Sequence, residues 1–265
     1  MILQNKNAVI YGAGGSLGGA TAKAFAAADA KVFLTGHKKD SVQKVADEII
    51  AAGGKAEVDV VDGYDEKAIT DHLKKVGPIH ISFNAVGVDV KQSVPLIDLT
   101  LEEFVKPITQ NMHTRFLTAK AAGRVMMKQG LGVILSLTAT PGGIGYPYTA
   151  GFAAACCAIE SFSRNLAAEL GIYGVRVVNI RSGGSPDSRV FREAFESNPE
   201  IMKEVLNGLA KDTMLKKQPP MADIANTAVF LASDLAASIT GVTVDVTAGT
   251  TAGLNYRAEK DRQLL

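Results

Sequence analysis

Between residues 7 and 19 the chain reads Asn7-Ala8-Val9-Ile10-Tyr11-Gly12-Ala13-Gly14-Gly15-Ser16-Leu17-Gly18-Gly19, and this stretch narrows the possible folds most. An apolar run stops at glycines, and an alanine-rich segment from Ala20 to Ala28 follows at once. That order describes a buried strand turning sharply into a helix. Glycines at the turn let backbone N–H groups approach a ligand that a Cβ would block. The helix start adds unpaired donors and a partial positive charge suited to a phosphate. A glycine-rich turn alone also marks ordinary loops. Between strand and helix, with Gly12, Gly14 and Gly18 at this spacing, it reads as a dinucleotide fingerprint, with Gly15, Ser16 and Leu17 lending backbone donors.

The second strand, Lys31 to Leu34, is followed by Thr35-Gly36-His37-Lys38-Lys39. In dinucleotide-binding units an acid near this point takes the ribose hydroxyls of NAD, whereas a cation suits the 2′-phosphate of NADP. His37 and Lys38 stand where the acid is missing, so NADP(H) is expected over NAD(H); the plainer reading has the lysines solvating a helix start. Asp40 or Ser41 is expected to cap that helix, whose Val42, Val45, Ala46, Ile49 and Ile50 share one face. Strands over Ala56–Val60, Ile79–Phe83, Gly132–Leu137, Val175–Ile180 and Val242–Val246 are separated by helical segments over Asp65–Val76, from Thr100 through Gln129, and from Thr149 to Leu170. Thr100 to Glu103 is a capping box, and Pro107 is expected to bend the long helix it opens. Strands alternating with helices of this length predict right-handed crossovers and a parallel sheet covered on both faces. Ligands of such sheets lie beyond the carboxyl ends of the strands, where Gly12, His37, Asp59 and Asn84 all fall.

Composition excludes several partner classes. The net charge is +1, which gives no electrostatic footprint for nucleic acid or an acidic membrane. Adjacent Cys156 and Cys157 are the two cysteines, so a reducing compartment fits better than a disulfide framework. With no long uncharged apolar run and no leader signature in Met1 to Lys6, a cytoplasmic protein without a membrane span is expected. No metal site is expected.

The fingerprint, Asn84-Ala85-Val86-Gly87, Asn111, the run Asn165-Leu166-Ala167-Ala168-Glu169-Leu170, Val177 to Ile180, and Phe230 to Asp234 leading to Ile239-Thr240-Gly241 together resemble the classical short-chain dehydrogenase/reductase family. The resemblance covers roughly Asn5 to Gly253. It implies an α/β fold: a single doubly wound Rossmann-type domain with a mainly parallel seven-stranded sheet and helices on both faces. It also implies a nicotinamide cofactor and a homotetramer or homodimer. The domain is placed at residues 1–254, with a charged tail at 255–265. By the same resemblance Asp59 and Val60 hold the adenine, and Asn84, Ala85 and Gly87 line the ribose side. Tyr11 and Ser16 depart mildly from the family's loop, which has threonine before its first glycine and glycine at position 16.

The catalytic positions depart more seriously. The family carries a serine on the fifth strand, Tyr-x-x-x-Lys on the next helix and an asparagine on the preceding one. Anchored on Leu166 to Glu169, the tyrosine position falls on Phe152, the lysine position on Cys156 and the serine position on Ala139; Asn111 is retained. Phenylalanine has no proton to give, alanine no donor, and a thiol is mostly neutral at pH 7. Loss of general acid catalysis costs about 10²–10⁴-fold in rate, and loss of an oxyanion donor about 10²–10³-fold. Ordinary ketone or alcohol chemistry is therefore expected to be very slow or absent. Tyr148, four residues before Phe152, is a substitute phenol if the helix begins early. Thr138 is adjacent to Ala139 but, by strand alternation, is expected to face the sheet's other layer. Cys156 reads as a packed small residue sooner than a reactive thiol, and His113 as structural.

After the sixth strand the chain departs again, with Arg181-Ser182-Gly183-Gly184-Ser185-Pro186-Asp187-Ser188. Ser188 falls where a threonine commonly touches the cofactor diphosphate. Phe191, Phe195, Ile201, Met202, Val205, Leu206 and Leu209, with Met214 and Leu215 beyond, are spaced as a core-facing stripe or, by the resemblance, as a substrate lid over residues 181–219 that makes the pocket apolar. Two readings of function follow. One is an NADP(H)-dependent oxidoreductase that needs an unusual acceptor, such as one already charged and requiring no enzyme acid, or a proton donor not yet identified; any substrate is expected to be small and apolar. The other is a catalytically silent cofactor-binding module acting as sensor, structural element or partner subunit.

Overall fold

A computed structural model describes residues 1–90 and 93–253; the expected tail at 255–265 lies outside the described residues. Seven parallel strands, β1 (Asn7–Tyr11), β2 (Lys31–Gly36), β3 (Lys55–Val60), β4 (Ile81–Asn84), β5 (Gly132–Ala139), β6 (Val175–Ser182) and β7 (Thr243–Val246), lie in the order β3-β2-β1-β4-β5-β6-β7. The doubly wound α/β domain expected from the strand–helix alternation is thus the fold.

The period-two alternation of each strand divides the core into two layers. Ala8, Ile10, Leu34, Ile81, Phe83, Leu135, Val178 and Ile180 face one way. They meet α1 (Ser16–Ala27), α2 (Lys39–Ala51) and α8 (Met221–Ala232) through Phe25, Val42, Ile49, Ile224 and Leu231. Val9, Tyr11, Phe33, Ile134 and Val177 face the other way. There they meet α3 (Glu66–Val76), α4 (Leu101–Gln129) and α5 (Phe152–Leu170) through Ile69, Leu73, Leu117, Met126, Ala167 and Leu170. Two further helices, α6 (Arg189–Ser197) and α7 (Pro199–Lys211), follow β6.

Local signals account for most boundaries. The Thr100 side chain accepts from the Glu103 N–H while Glu103 reaches back to the Thr100 N–H, closing the capping box at α4. Asp65 caps α3 by accepting from the Ala68 N–H at 3.0 Å. At α2 the expectation fails. The helix opens at Lys39 after an N-cap at Lys38 that makes no side-chain bond, and Ser41 Oγ instead donates to the Lys38 carbonyl at 2.9 Å. α4 runs from Leu101 to Gln129 as one helix through Pro107. α5 begins at Phe152, three residues later than its alanine content suggests, because Tyr148 and Ala150 adopt left-handed backbone with φ of 61° and 52°.

Candidate functional site

Strand order reverses direction between β1 and β4, and ligands of doubly wound sheets bind at the carboxyl ends of the strands at such a switch. The glycine turn sits there. Gly12 has φ +75°, and a Cβ on it would lie 2.7 Å from the Ala85 carbonyl oxygen, so both its conformation and its closeness to the β4 loop require glycine. A Cβ on Gly18 would fall on the Gly12 carbonyl oxygen, which fixes the approach of α1 to the turn. Gly15 is the N-cap of α1 with no side chain to satisfy the first N–H groups, leaving them available to an anion. Ser16 and Leu17 open that helix, and Gly14 packs against Ser41.

At the end of β2, His37, Lys38 and Lys39 are exposed and enter no ion pair among the described residues. At β3 the expected adenine residues Asp59 and Val60 sit in different settings. Lys75 Nζ stands 2.6 Å from Asp59 Oδ1 and His72 Nε2 3.5 Å from Asp59 Oδ2, so α3 engages that carboxylate, while Val60 is 59% exposed. Past the strand, Asp62 accepts from the Tyr64 N–H at 2.9 Å, and Gly63 lies against Val86 of the β4 loop. Asp62 and Gly63 thus lie between the end of β3 and the β4 loop, beyond Asp59 and Val60. Asp65, the N-cap of α3, lies three residues beyond Asp62.

Asn84 is buried and fully used in shaping its own loop. Its Nδ2 donates to the Thr118 hydroxyl at 2.9 Å and the Thr114 carbonyl at 3.2 Å, and its Oδ1 accepts from the Val86 N–H at 3.0 Å. Ala85 N–H donates to the Tyr11 carbonyl, which ties the β4 loop to the glycine turn, and the space where a Gly87 side chain would sit is open. Asn111 is buried on α4, its Nδ2 donating to the Pro107 carbonyl at 2.8 Å. One turn further on the same face stands Arg115, which sequence reasoning missed although its spacing from inward-facing Asn111 announces it. Its Nη1 donates to the Val86 carbonyl at 3.3 Å and its Nη2 to the Leu137 carbonyl at 3.5 Å. Burial lowers its pKa to about 10, so it stays protonated at neutral pH.

Ala139 ends β5, and Phe152 and Cys156 begin α5 one turn apart on a shared face. Cys156 is fully buried; burial raises its thiol pKa to about 11, against the opposing effect of a hydrogen bond from the Ala139 backbone. Cys157 is exposed and points its Sγ at the Gly142 carbonyl. Tyr148 is outside the helix, 57% exposed, so the early helix start that would have aligned it with Phe152 does not occur. Thr138 faces α5, contrary to expectation: even-numbered residues of β5 point to the α4–α5 layer, as Ile134 and Ser136 do. Its hydroxyl donates to Glu160 Oε1 at 3.0 Å and accepts from Asn179 at 2.7 Å. Glu160 in turn holds Arg181, with 2.6 Å between Oε2 and Nη2, and Arg181 reaches Asp245 at 2.8 Å. These three charges lock α5, β6 and β7 at the carboxyl end of the sheet. His113 packs edge-on against Tyr64, with ring centroids 5.4 Å apart.

Above the strand ends, neither α6 nor α7 contains a buried residue, so their apolar stripe is not built into a core. Ser188 is the N-cap of α6, and the Arg189 N–H donates to Ser16 Oγ. The segment thereby closes onto the glycine turn. Among the described residues no helix is long and apolar enough to cross a membrane.

A family profile described as enoyl-(acyl carrier protein) reductase matches residues 12–251. The chain is 32% identical over 258 residues to the tropinone reductase-like 1 of Erythroxylum coca, covering 93% of this chain and 90% of that protein. It is 29% identical over 251 residues to the levodione reductase of Leifsonia aquatica, covering 92% and 93%. A crystal structure of levodione reductase is similar with a TM-score of 0.86 at 26% identity, covering 94% of this chain and 99% of that one. A Beutenbergia cavernae structure holding NADP at low occupancy gives a TM-score of 0.83 at 28% identity, over 95% and 98%.

Proposed function

The chain belongs to the short-chain dehydrogenase/reductase family of oxidoreductases, which bind a nicotinamide dinucleotide, and from that premise we propose that it binds NADP(H) in a site stripped of the family's proton-donating residues. The observation that carries the reading is the turn at Gly12 and Gly18, where a Cβ would strike backbone, set at the start of α1 and at the strand-order switch. That cradle fits a dinucleotide diphosphate. Gly14, Gly15, Ser16 and Leu17 complete it, and Ser188 approaches it from α6. Unpaired His37 and Lys38 support a 2′-phosphate in preference to a free ribose. Asp62, in place of Asp59, is the candidate for the adenine. Ala85 and Gly87 lie along the ribose side, with Asn84 holding their loop. The dinucleotide domain is proposed to span residues 1–254, with 181–219 as its lid.

Bound NADPH supplies a hydride equivalent, and the family's tyrosine supplies the matching proton. At the corresponding positions this chain has Phe152 for tyrosine, Ala139 for serine and Cys156 for lysine. Cys156 is a neutral thiol at pH 7 because burial raises its pKa. Ketone reduction is expected to be slower by about 10²–10⁴-fold than with a positioned acid. The joint loss of all three groups also favours a second reading, a silent NADP(H)-binding module that acts as a sensor or pairs with an active homologous subunit, in a dimer or tetramer.

Cofactor fluorescence titration followed by NADPH consumption with ketones, quinones and imines separates the readings. Binding with turnover of one acceptor class supports the atypical oxidoreductase, and binding without turnover supports the silent module. Brisk ketone reduction, or no NADPH binding, overturns the reading of the site.

A further inference from the structure

A guanidinium keeps its proton at neutral pH, so it cannot escape burial by neutralising as a carboxylic acid or lysine can. Buried charges are for that reason normally paired with an opposite charge. Arg115 is 6% exposed, and among the described residues it enters no ion pair. Its acceptors are neutral and distant: the Val86 carbonyl at 3.3 Å, the Thr114 hydroxyl at 3.4 Å and the Leu137 carbonyl at 3.5 Å. All three lie beyond the usual range for N–H···O bonds. Its Nε has no acceptor among the described residues. The ionisable groups whose charge acts on it are Cys156 and Tyr64, both with pKa values raised by burial and so both neutral at pH 7.

The position of this unbalanced cation has a direction. Val86 and Leu137 place the guanidinium at the carboxyl ends of β4 and β5, where ligands of a doubly wound sheet lie. Beneath it, a cavity lined by Ser82, Asn84, Thr118, Ser136 and Ser163 measures about 10 Å³, room for one water and no organic ligand. That cavity is too small for an organic anion, which leaves the strand ends as the side of approach to Arg115.

We propose that Arg115 is the anion-binding residue of this site, taking the carboxylate oxygens of an acidic substrate lying over the carboxyl ends of β4 and β5. This rests on the placement of the cofactor site above; the cofactor's own diphosphate is the second possible source of the oxyanion. A carboxylate offers the paired oxygens that a guanidinium fork matches, and no charged side chain among the described residues already supplies them.

The full-length protein with Arg115→Met, which removes the charge at similar length, and Arg115→Lys, which keeps it, tests the assignment. Formate, benzoate and decanoate, each against its neutral amide, are titrated into NADPH-loaded protein by calorimetry, and NADPH is titrated separately by fluorescence. At least one carboxylate is expected to bind where its amide does not. Its affinity should fall about tenfold or more in Arg115→Met and recover in part in Arg115→Lys, with NADPH affinity little changed. If NADPH affinity falls instead and carboxylates do not bind, the anion is the cofactor's diphosphate; anion binding by Arg115 stands and the acidic substrate falls. If no ligand's affinity depends on Arg115, the proposal is overturned. It is overturned equally if Arg115→Met only lowers the Tm without changing any affinity. Should wild type fail to bind NADPH, the cofactor reading fails by itself, and the carboxylate titration on the unliganded protein still decides the role of Arg115.

Discussion

Ser16 and Arg189 are 173 residues apart in sequence, and the Arg189 N–H donates to Ser16 Oγ at 3.0 Å. The bond joins the glycine turn to the first residue of α6, so the proposed lid is tied to the proposed cofactor cradle. One such bond contributes about 0.5–1.5 kcal/mol, a change of about 2–10-fold in an open–closed equilibrium. Ser16→Gly keeps the main-chain donors and removes the acceptor. Limited proteolysis within α6 and α7 is expected to speed up by about that factor, with the sheet intact by circular dichroism. Unchanged cleavage would show that the latch does not hold the segment.

Cofactor choice is expected to reside in two adjacent exposed residues. His37 and Lys38 follow β2 without carboxylate partners among the described residues. Replacing His37 by Asp and Lys38 by Ala supplies the acid that ribose hydroxyls require and removes a cation that a 2′-phosphate would use. NADPH is expected to bind about tenfold or more weakly, and NADH equally well or better. Parallel weakening of both cofactors would instead assign these residues to loop structure.

Two histidines are expected to make the fold acid-sensitive. Burial lowers the pKa of His72, and burial with the nearby Lys6 charge lowers that of His80, from the ordinary 6.5. His80 Nδ1 also accepts the Asn7 N–H at 3.0 Å, a bond open only to an unprotonated nitrogen. Below pH 6.5 the unfolded chain takes up protons that the folded imidazoles refuse. The contribution to stability is complete above that pH and is lost as pH falls through the folded pKa values. Urea midpoints measured from pH 7.5 to 5 are expected to fall below 6.5, and the fall should flatten in a His72→Gln, His80→Gln variant.

Tyr11 presents a simpler case. Its hydroxyl is buried with no hydrogen-bond partner among the described residues, and burial pushes the phenol pKa up. An unsatisfied buried donor costs about 1–3 kcal/mol. Tyr11→Phe keeps the ring against Val9, Phe33 and Ile69 and removes that penalty. Thermal unfolding is expected to shift upward by about 2–4 °C per kcal/mol recovered. A downward shift would reveal a partner for the hydroxyl.

What is legible in the sequence follows local rules, and what is hidden follows from packing across elements. Gly12, Gly18, the capping box at Thr100 and the two-layer alternation of the strands are written in short-range patterns, and the structure carries them. The ion pair of Asp59 is hidden from the sequence because its partner Lys75 comes from a different element. The start of α2 escapes the sequence because Ser41 bonds backward to Lys38. Thr138 is assigned to the wrong layer when alternation is counted without knowing which layer holds α5. The spacing of Arg115 from Asn111 carries a signal, but the Thr138–Glu160–Arg181 contacts join α5 to two strands and emerge only in the assembled sheet.

Arg115 also bears on whether a family active site can be rebuilt here. Register alone suggests Ala139→Ser, Phe152→Tyr and Cys156→Lys as the restoring change. Yet Cys156 is fully buried and its surroundings include the Arg115 guanidinium, whose charge already acts on the thiol. A lysine ammonium there would meet a like charge in a region of low dielectric, which favours its neutral form or displaces it. The triple variant is therefore expected to melt lower than the parent and to show little ketone reduction. Adding Arg115→Met removes the competing cation, leaving the new lysine to hold the new tyrosine's pKa down. The quadruple variant is expected to reduce ketones with NADPH at least about 10²-fold faster than the parent, as a positioned general acid provides. Equal activity in triple and quadruple variants would show that Arg115 does not compete for the position 156 site. No activity in either would show that position 152 does not face the hydride-accepting carbon.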